Sequence, residues 1–302
     1  MLRCLAEGIY ATRASAPGAA VCIGFGIHGN ERAPIDAGLQ LLTEFQDGRR
    51  QLQQGRLLFL FGNPRAAAED RRWSADGSDL NRCFVHETLD RAPRSYEEQR
   101  AREIVEQLQV FRPDVLVDFH CTVEPGQRFL MQHPPISDAS HRAVARFLSA
   151  EVVLADPQLQ FGAVSLDEWV SVQDRVGICY ETGWIHSPDN TPDKVHQEMI
   201  HLLQGTQLLP GEAVAHDDKR WLQLDGLLIC DGHDFTWRPG IGQNLQELPK
   251  GTVLGHYGDG RRLSLPATCT LVFPRKRREL MQFGKPLVYL ARTASQSMTA
   301  GA

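Results

Sequence analysis

Short apolar runs recur through the first two thirds of the chain, and most are followed by a longer segment with helical periodicity. The runs fall at 20–26, 56–61, 115–119, 129–132, 152–154 and 177–181. The helical segments fall at 32–45, 96–110, 140–150 and 192–204. The 96–110 segment is the clearest, with Ile104, Val105, Leu108 and Phe111 on one side and Glu and Arg elsewhere. Runs that are apolar at successive positions cannot face water on either side of a sheet. They require layers of helix on both faces, which is the arrangement of an α/β fold with a mostly parallel or mixed sheet. Such sheets bind ligands beyond the carboxyl ends of their strands. His28 follows the run at 20–26, His120 closes 115–119 and Glu181 closes 177–181, so three reactive side chains are expected at three such ends.

Near residue 210 the texture changes. Beyond the stretch from Gly205 to His216, short apolar pieces are punctuated by Gly, Pro and Asp. This predicts a division into a catalytic domain over 1–210 and a smaller β-rich domain over 211–302. The basic run Arg275-Lys276-Arg277-Arg278 reads as a solvated loop. The formal net charge is −5, which gives no bulk attraction to nucleic acid or an anionic membrane. No run approaches the roughly 18 uninterrupted apolar residues of a membrane span. Seven cysteines without a C-x-x-C pair, and an N-terminus without a long apolar core, predict free thiols in a cytoplasmic protein.

Two imidazoles and a carboxylate, His28, Glu31 and His120, form a three-ligand set suited to a catalytic zinc with an open fourth position. The spacing of His28 and Glu31 puts both on one side of a turn or helix start. Spacing alone leaves a structural alternative open, since H-x-x-E is short and a histidine after a strand is usually a hydrogen-bonded structural residue. Asp118 lies two residues before His120 and shares its strand face, so it is placed to orient that ring.

Further motifs narrow the reading. His28-Gly29-Asn30-Glu31-Arg32-Ala33-Pro34 is followed in order by Gly62-Asn63-Pro64-Arg65-Ala66, Asp79-Leu80-Asn81-Arg82-Cys83-Phe84, Asp118-Phe119-His120 and Glu181-Thr182-Gly183. In these five elements, and in Leu271-Val272-Phe273-Pro274, the chain resembles the succinylglutamate desuccinylase/aspartoacylase family of zinc carboxypeptidase-like hydrolases. The resemblance runs from about residue 20 to 290. It implies one Zn2+ per chain on His28, Glu31 and His120, Glu181 as general base and then proton donor, and Asn81 with Arg82 gripping a substrate carboxylate. It implies a metal-dependent amidohydrolase of amino-acid metabolism, a deacylase acting on a small anionic N-acylated substrate. A carboxypeptidase-like metallopeptidase acting on short peptides, and a catalytically silent metal- or ligand-binding homologue, are the rival readings. The oligomeric state is left open, a homo-oligomer included.

The chain departs from the family pattern in three places. The family's carbonyl-polarising arginine falls at Ser74 here. A two-residue loop expansion around Gly77 transfers that role to Arg72, with Arg71 as the fallback. The arginine expected ten residues before the base is Ser171, and Arg175 is out of register. Glu124 adds an acid near the site. The class of reaction therefore carries over better than the substrate. His133, His186 and Trp184 are read as packing or loop-anchoring residues rather than pocket walls.

Overall fold

The architecture comes from a computed structural model that describes residues 2–133, 138–158, 164–232 and 234–294. Its strands are β1 (Arg3–Ala6), β2 (Ile9–Arg13), β3 (Ala20–Phe25), β4 (Arg56–Phe61), β5 (Val115–Thr122), β6 (Phe129–Gln132), β7 (Val152–Ala155) and β8 (Val176–Trp184). They continue with β9 (Arg220–Ile229), β10 (Thr236–Trp237), β11 (Glu247–Leu248), β12 (Val253–His256), β13 (Arg262–Ser264), β14 (Cys269–Val272) and β15 (Pro286–Thr293). The α-helices are α1 (Arg32–Gln46), α2 (Pro64–Ala68), α3 (His86–Leu89), α4 (Tyr96–Phe111), α5 (Asp138–Ala145), α6 (Leu166–Ser171) and α7 (Pro192–Gly205).

Alternation along β3 shows why the sheet is covered twice. Val21, Ile23 and Phe25 face a core completed by Leu41 and Phe45 of α1 and Met199 and Leu203 of α7. Ala20 and Cys22, one residue out of phase, face a second core with Ile104 and Leu108 of α4 and Leu166 of α6. Ile104 and Leu108 are essentially inaccessible, each contributing about 2 kcal/mol of apolar burial. Helix α4 starts where Ser95 Oγ accepts the Glu98 backbone N–H at 3.2 Å, with Glu97 and Glu98 in the first turn, where carboxylates suit the helix dipole.

Among the described residues the main sheet has twelve strands in the order β1-β2-β4-β3-β5-β8-β6-β7-β9-β15-β14-β11. The centre β4-β3-β5-β8 is parallel. β6 runs antiparallel to β8, and β7 and β9 run parallel to β6. The sheet is therefore mixed. It passes through residue 210 without a break, because β9 joins β7 in parallel and then β15 in antiparallel. The C-terminal region is β-rich and encloses its own apolar cluster, including Leu254, Leu265, Leu271 and Leu287. β10, β12 and β13 form a separate three-stranded sheet.

Candidate active site

The carboxyl ends of β3, β5 and β8 converge, and the loops leaving them carry the reactive groups. Gly26 takes φ +66°, turning the chain out of β3. The ends of β3 and β4 stay tied, with Gly62 N–H donating to the Phe25 carbonyl at 2.9 Å and Asn63 N–H to the Gly26 carbonyl at 2.8 Å. Asn63 then caps α2 by accepting the Ala66 N–H at 2.9 Å. The loop bearing His28 crosses this helix so closely that a Cβ on Gly29 would lie 2.1 Å from the Ala66 carbonyl carbon. Only glycine fits beside His28. Glu31 occupies the N-cap position of α1 but makes no side-chain cap. Its carboxylate is turned into the site instead.

That carboxylate lies between the two imidazoles. Glu31 Oε1 is 2.7 Å from His28 Nδ1, and Oε2 is 3.1 Å from His120 Nδ1. Oε2 also accepts the Cys121 backbone N–H at 3.1 Å. All three residues are buried, and one ligand atom from each lies within 4.8 Å of the others. The outer nitrogens are held by further carboxylates: His28 Nε2 is 3.0 Å from Asp79 Oδ1 and His120 Nε2 is 2.8 Å from Asp118 Oδ2. Each ring thus turns Nδ1 inward and Nε2 towards an acid, and an acid on the outer nitrogen fixes ring orientation and raises basicity in metal sites. Two imidazole donors, one carboxylate and two backing acids fit a divalent transition ion.

Electrostatics within the cluster is strong. Burial opposes the charge of Glu31, but His28 and His120 outweigh it and hold the carboxyl below its ordinary range. Burial likewise opposes protonation of His120, yet Asp118 and Glu31 raise it well above the usual histidine value. Asp79 is half-buried, and against the opposing effect of that burial His28 and Arg72 hold its carboxyl below the ordinary range.

Glu181 stands on β8 directly opposite His120 on β5. Its Oε2 is buried without a hydrogen-bond partner. Burial, with the charge of Glu31 added, lifts the carboxyl from 4.5 to about 7, against the pull of His120, His28 and Arg72. A carboxyl poised near neutrality can both take and return a proton.

Arg72 reaches this cluster and Arg71 does not. Arg72 donates to Asp79 Oδ2 from Nη2 at 3.0 Å and from Nε at 3.3 Å, and its Nη1 lies 3.8 Å from Glu31 Oε1. Arg71 is exposed, with Glu69 at 3.9 Å. The loop after Arg72 wraps around the buried Glu97 of α4, which accepts the Ser74 N–H at 2.9 Å and the Ser78 N–H at 3.2 Å. Gly77 lies against the same carboxylate, where a Cβ would be 2.0 Å from Oε2. Asn81 is buried, and its Oδ1 accepts the Leu166 N–H at 3.0 Å, which leaves its NH2 as the group available to a ligand. Arg82 is exposed beside it and donates to the Asn81 carbonyl at 2.8 Å.

The acyl-side arginine has no substitute on α6. Ser171 is fully buried and donates to the Gly177 carbonyl at 3.3 Å. Arg175 binds the Pro113 carbonyl at 2.8 Å, at the far ends of β5 and β8. Trp184 donates to the Val123 carbonyl at 3.2 Å and packs edge-on against His186. The basic run is exposed from Lys276 to Arg278, as expected of a solvated loop, and Lys276 and Arg277 also oppose the upward push of burial on the Glu124 carboxyl. Cys121 and Cys179 are pushed well above the ordinary thiol value by burial, and Cys83 to about 11. No thiolate is favoured there. Sequence reasoning assigned no role to Asp79, although it opens the Asp79-Leu80-Asn81-Arg82 motif, and none to Glu97.

Residues 17–182 match the sequence model of the succinylglutamate desuccinylase/aspartoacylase catalytic domain. A succinylglutamate desuccinylase from Pseudomonas putida is 26% identical over 271 residues, covering 84% of this chain and 78% of that protein. Among solved structures, the succinylglutamate desuccinylase from Vibrio cholerae superposes with a TM-score of 0.79 at 18% identity, covering 97% of this chain and 87% of the other. An aspartoacylase family protein from Mesorhizobium loti gives 0.63 at 21% identity, covering 95% and 89%.

Proposed function

The chain belongs to the succinylglutamate desuccinylase/aspartoacylase family of hydrolases, and on that premise we propose that it cleaves the amide bond of a small N-acyl amino acid with one zinc ion on His28, Glu31 and His120. The observation that carries this reading is the convergence of those three donors within 4.8 Å, next to a glutamate whose carboxyl sits at about 7. Zinc in such a set supplies Lewis acidity that acidifies water and polarises a carbonyl.

The chain's own groups do the rest. Glu181 removes a proton from the attacking water as its oxygen adds to the amide carbon. The Arg72 guanidinium, already ordered by Asp79, stabilises negative charge developing on the former carbonyl oxygen. Glu181 then delivers its proton to the nitrogen as the C–N bond breaks, giving a carboxylate and a free amine. Arg82 offers a two-pronged donor to the substrate carboxylate and Asn81 a neutral one. Holding that carboxylate fixes the amide carbon near the attacking water.

Asp118 and Asp79 serve as positioning residues, each holding one imidazole. With Ser171 in place of an acyl-side arginine, we assign the selective carboxylate grip to Asn81 and Arg82, on the amino-acid side. A panel of N-acetyl, N-succinyl and longer N-acyl amino acids, run against dipeptides with the zinc-loaded protein, tests this reading. Turnover confined to N-acyl amino acids supports it. Turnover of dipeptides alone would replace it with a peptidase.

A further inference from the structure

A second group of buried ligand-type side chains lies beside the site just described, with Asp167 near Asp118 and His120. His133 leaves the end of β6, and Asp156 leaves the end of β7 beside it, its N–H donating to the Gln132 carbonyl at 3.1 Å. Asp167 and Glu168 come from the first turn of α6. Because β6 runs antiparallel to β8, Gln132 pairs with Ile178 whereas Phe129 pairs with Glu181. The group therefore sits about 10 Å back along the sheet from Glu181, at 3.3 Å per residue.

These side chains are almost wholly inaccessible: His133 is 3% exposed, and Asp156, Asp167 and Glu168 are 1% each. One ligand atom from each of His133, Asp156 and Glu168 lies within 4.8 Å of the others. Asp167 Oδ2 is 2.8 Å from His133 Nε2, and Glu168 Oε1 is 3.4 Å from His133 Nδ1. Yet neither ring nitrogen makes a hydrogen bond, and neither Asp167 oxygen nor Glu168 Oε1 has a hydrogen-bond partner. The contacts are close but out of line. Glu168 Oε2, by contrast, is used, accepting Ser165 N–H at 2.8 Å and Ser165 Oγ–H at 2.9 Å. One oxygen of Glu168 thus fixes the side chain, and the other is left facing the group.

Buried polar atoms without partners are costly, and buried carboxylates more so unless paired or bound to metal. Among the described residues the ion pairs of Asp167 and Glu168 are both to His133. One imidazole cannot neutralise two carboxylates, whatever its protonation. We propose that His133, Asp156 and Glu168, with Asp167 beside them, form a second binding site for a divalent transition-metal ion. The mixed imidazole and carboxylate donors suit Mn2+, Co2+ or Zn2+. Three loops or strand ends from different parts of the chain supply the donors, so the ion would tie α6 to the ends of β6 and β7.

Metal-stripped protein titrated with Co2+, with bound metal counted by elemental analysis and the visible absorption of the ion recorded, tests the proposal. The wild type is expected to bind two ions per chain. The His28→Ala/His120→Ala double variant, which leaves the second group intact, is expected to bind one. Glu168→Gln and His133→Asn are each expected to bind one, with the circular dichroism of the wild type. The proposal is overturned if the folded double variant binds none, or if the wild type binds two and both folded single variants still bind two. Should either single variant fail to fold, the double variant decides alone. A wild type that binds one ion and a double variant that also binds one would keep this site and reject the zinc set of the proposed function. One ion in the wild type and none in the double variant would do the reverse.

Discussion

Replacing Glu181 by Gln should stop hydrolysis and, in metal-free protein, make the fold more stable. The carboxyl is lifted from 4.5 to about 7, chiefly by burial. Between those values the folded chain binds more protons than the unfolded one, so stability is lost as pH rises through that window. Below 4.5 both states carry the protonated group and the cost vanishes. Above 7 it is complete, and at about 1.4 kcal/mol per pH unit it reaches about 3 kcal/mol. Gln has nearly the same volume and no charge to bury, so it removes this cost without opening a cavity. Urea unfolding of chelator-treated wild type and Glu181→Gln should therefore show the variant ahead by about 3 kcal/mol at pH 8 and by less than about 1 kcal/mol at pH 5. A variant no more stable than wild type at pH 8, or an advantage that does not shrink at pH 5, would refute the argument that burial holds this carboxyl near neutrality.

Other perturbations separate the roles of the surrounding groups. Asp118→Asn, which weakens the grip on His120 Nε2, should lower metal affinity by about 10–100-fold in a chelator competition while leaving the fold intact. Arg72→Ala should lower kcat by about 100–1,000-fold with a smaller change in KM, and Arg71→Ala should leave both within a few-fold. An unchanged kcat in Arg72→Ala would remove that residue from the mechanism. Gly29→Ala, whose Cβ would collide with the backbone of α2, should cost about 3 kcal/mol or more in denaturant unfolding; a Tm equal to that of the wild type would show that the crossing is looser than described.

Much of the central sheet could be read from the chain, because burial on both faces leaves an uninterrupted apolar record. The run at 56–61 coincides with β4, and 129–132 with β6. The first two strands could not be read in this way. Ile9-Tyr10-Ala11-Thr12-Arg13 has no alternation and only three apolar residues before Thr12 and Arg13, and it is a strand because it pairs with β4 over its whole length. The length of β9 was also hidden. Arg220–Ile229 carries Arg, Gln and Asp among its apolar residues, and only its end, at 227–229, stood out. At the site, His28, Glu31 and His120 were visible as residue types at strand ends, but no pattern in the sequence gives the side on which each imidazole is held. Asp79 sits 51 positions from His28 in the chain, so its contact exists only in three dimensions. The same holds for Arg72. A fixed offset from Asn81 points to Ser74, and the buried carboxylate of Glu97, which the loop encircles, accounts for the displaced register.

The central claim is that a metal on His28, Glu31 and His120 and the carboxylate of Glu181 act together on an amide. The most direct test is hydrolysis of an N-acyl amino acid panel by chelator-stripped protein as zinc is added back, with Glu181→Gln in parallel. The account predicts no turnover in the stripped wild type, turnover that returns with zinc, and a Glu181→Gln variant that takes up zinc and remains silent. Stripped protein that turns over at the zinc-loaded rate, or a Glu181→Gln variant that matches wild type, would contradict it.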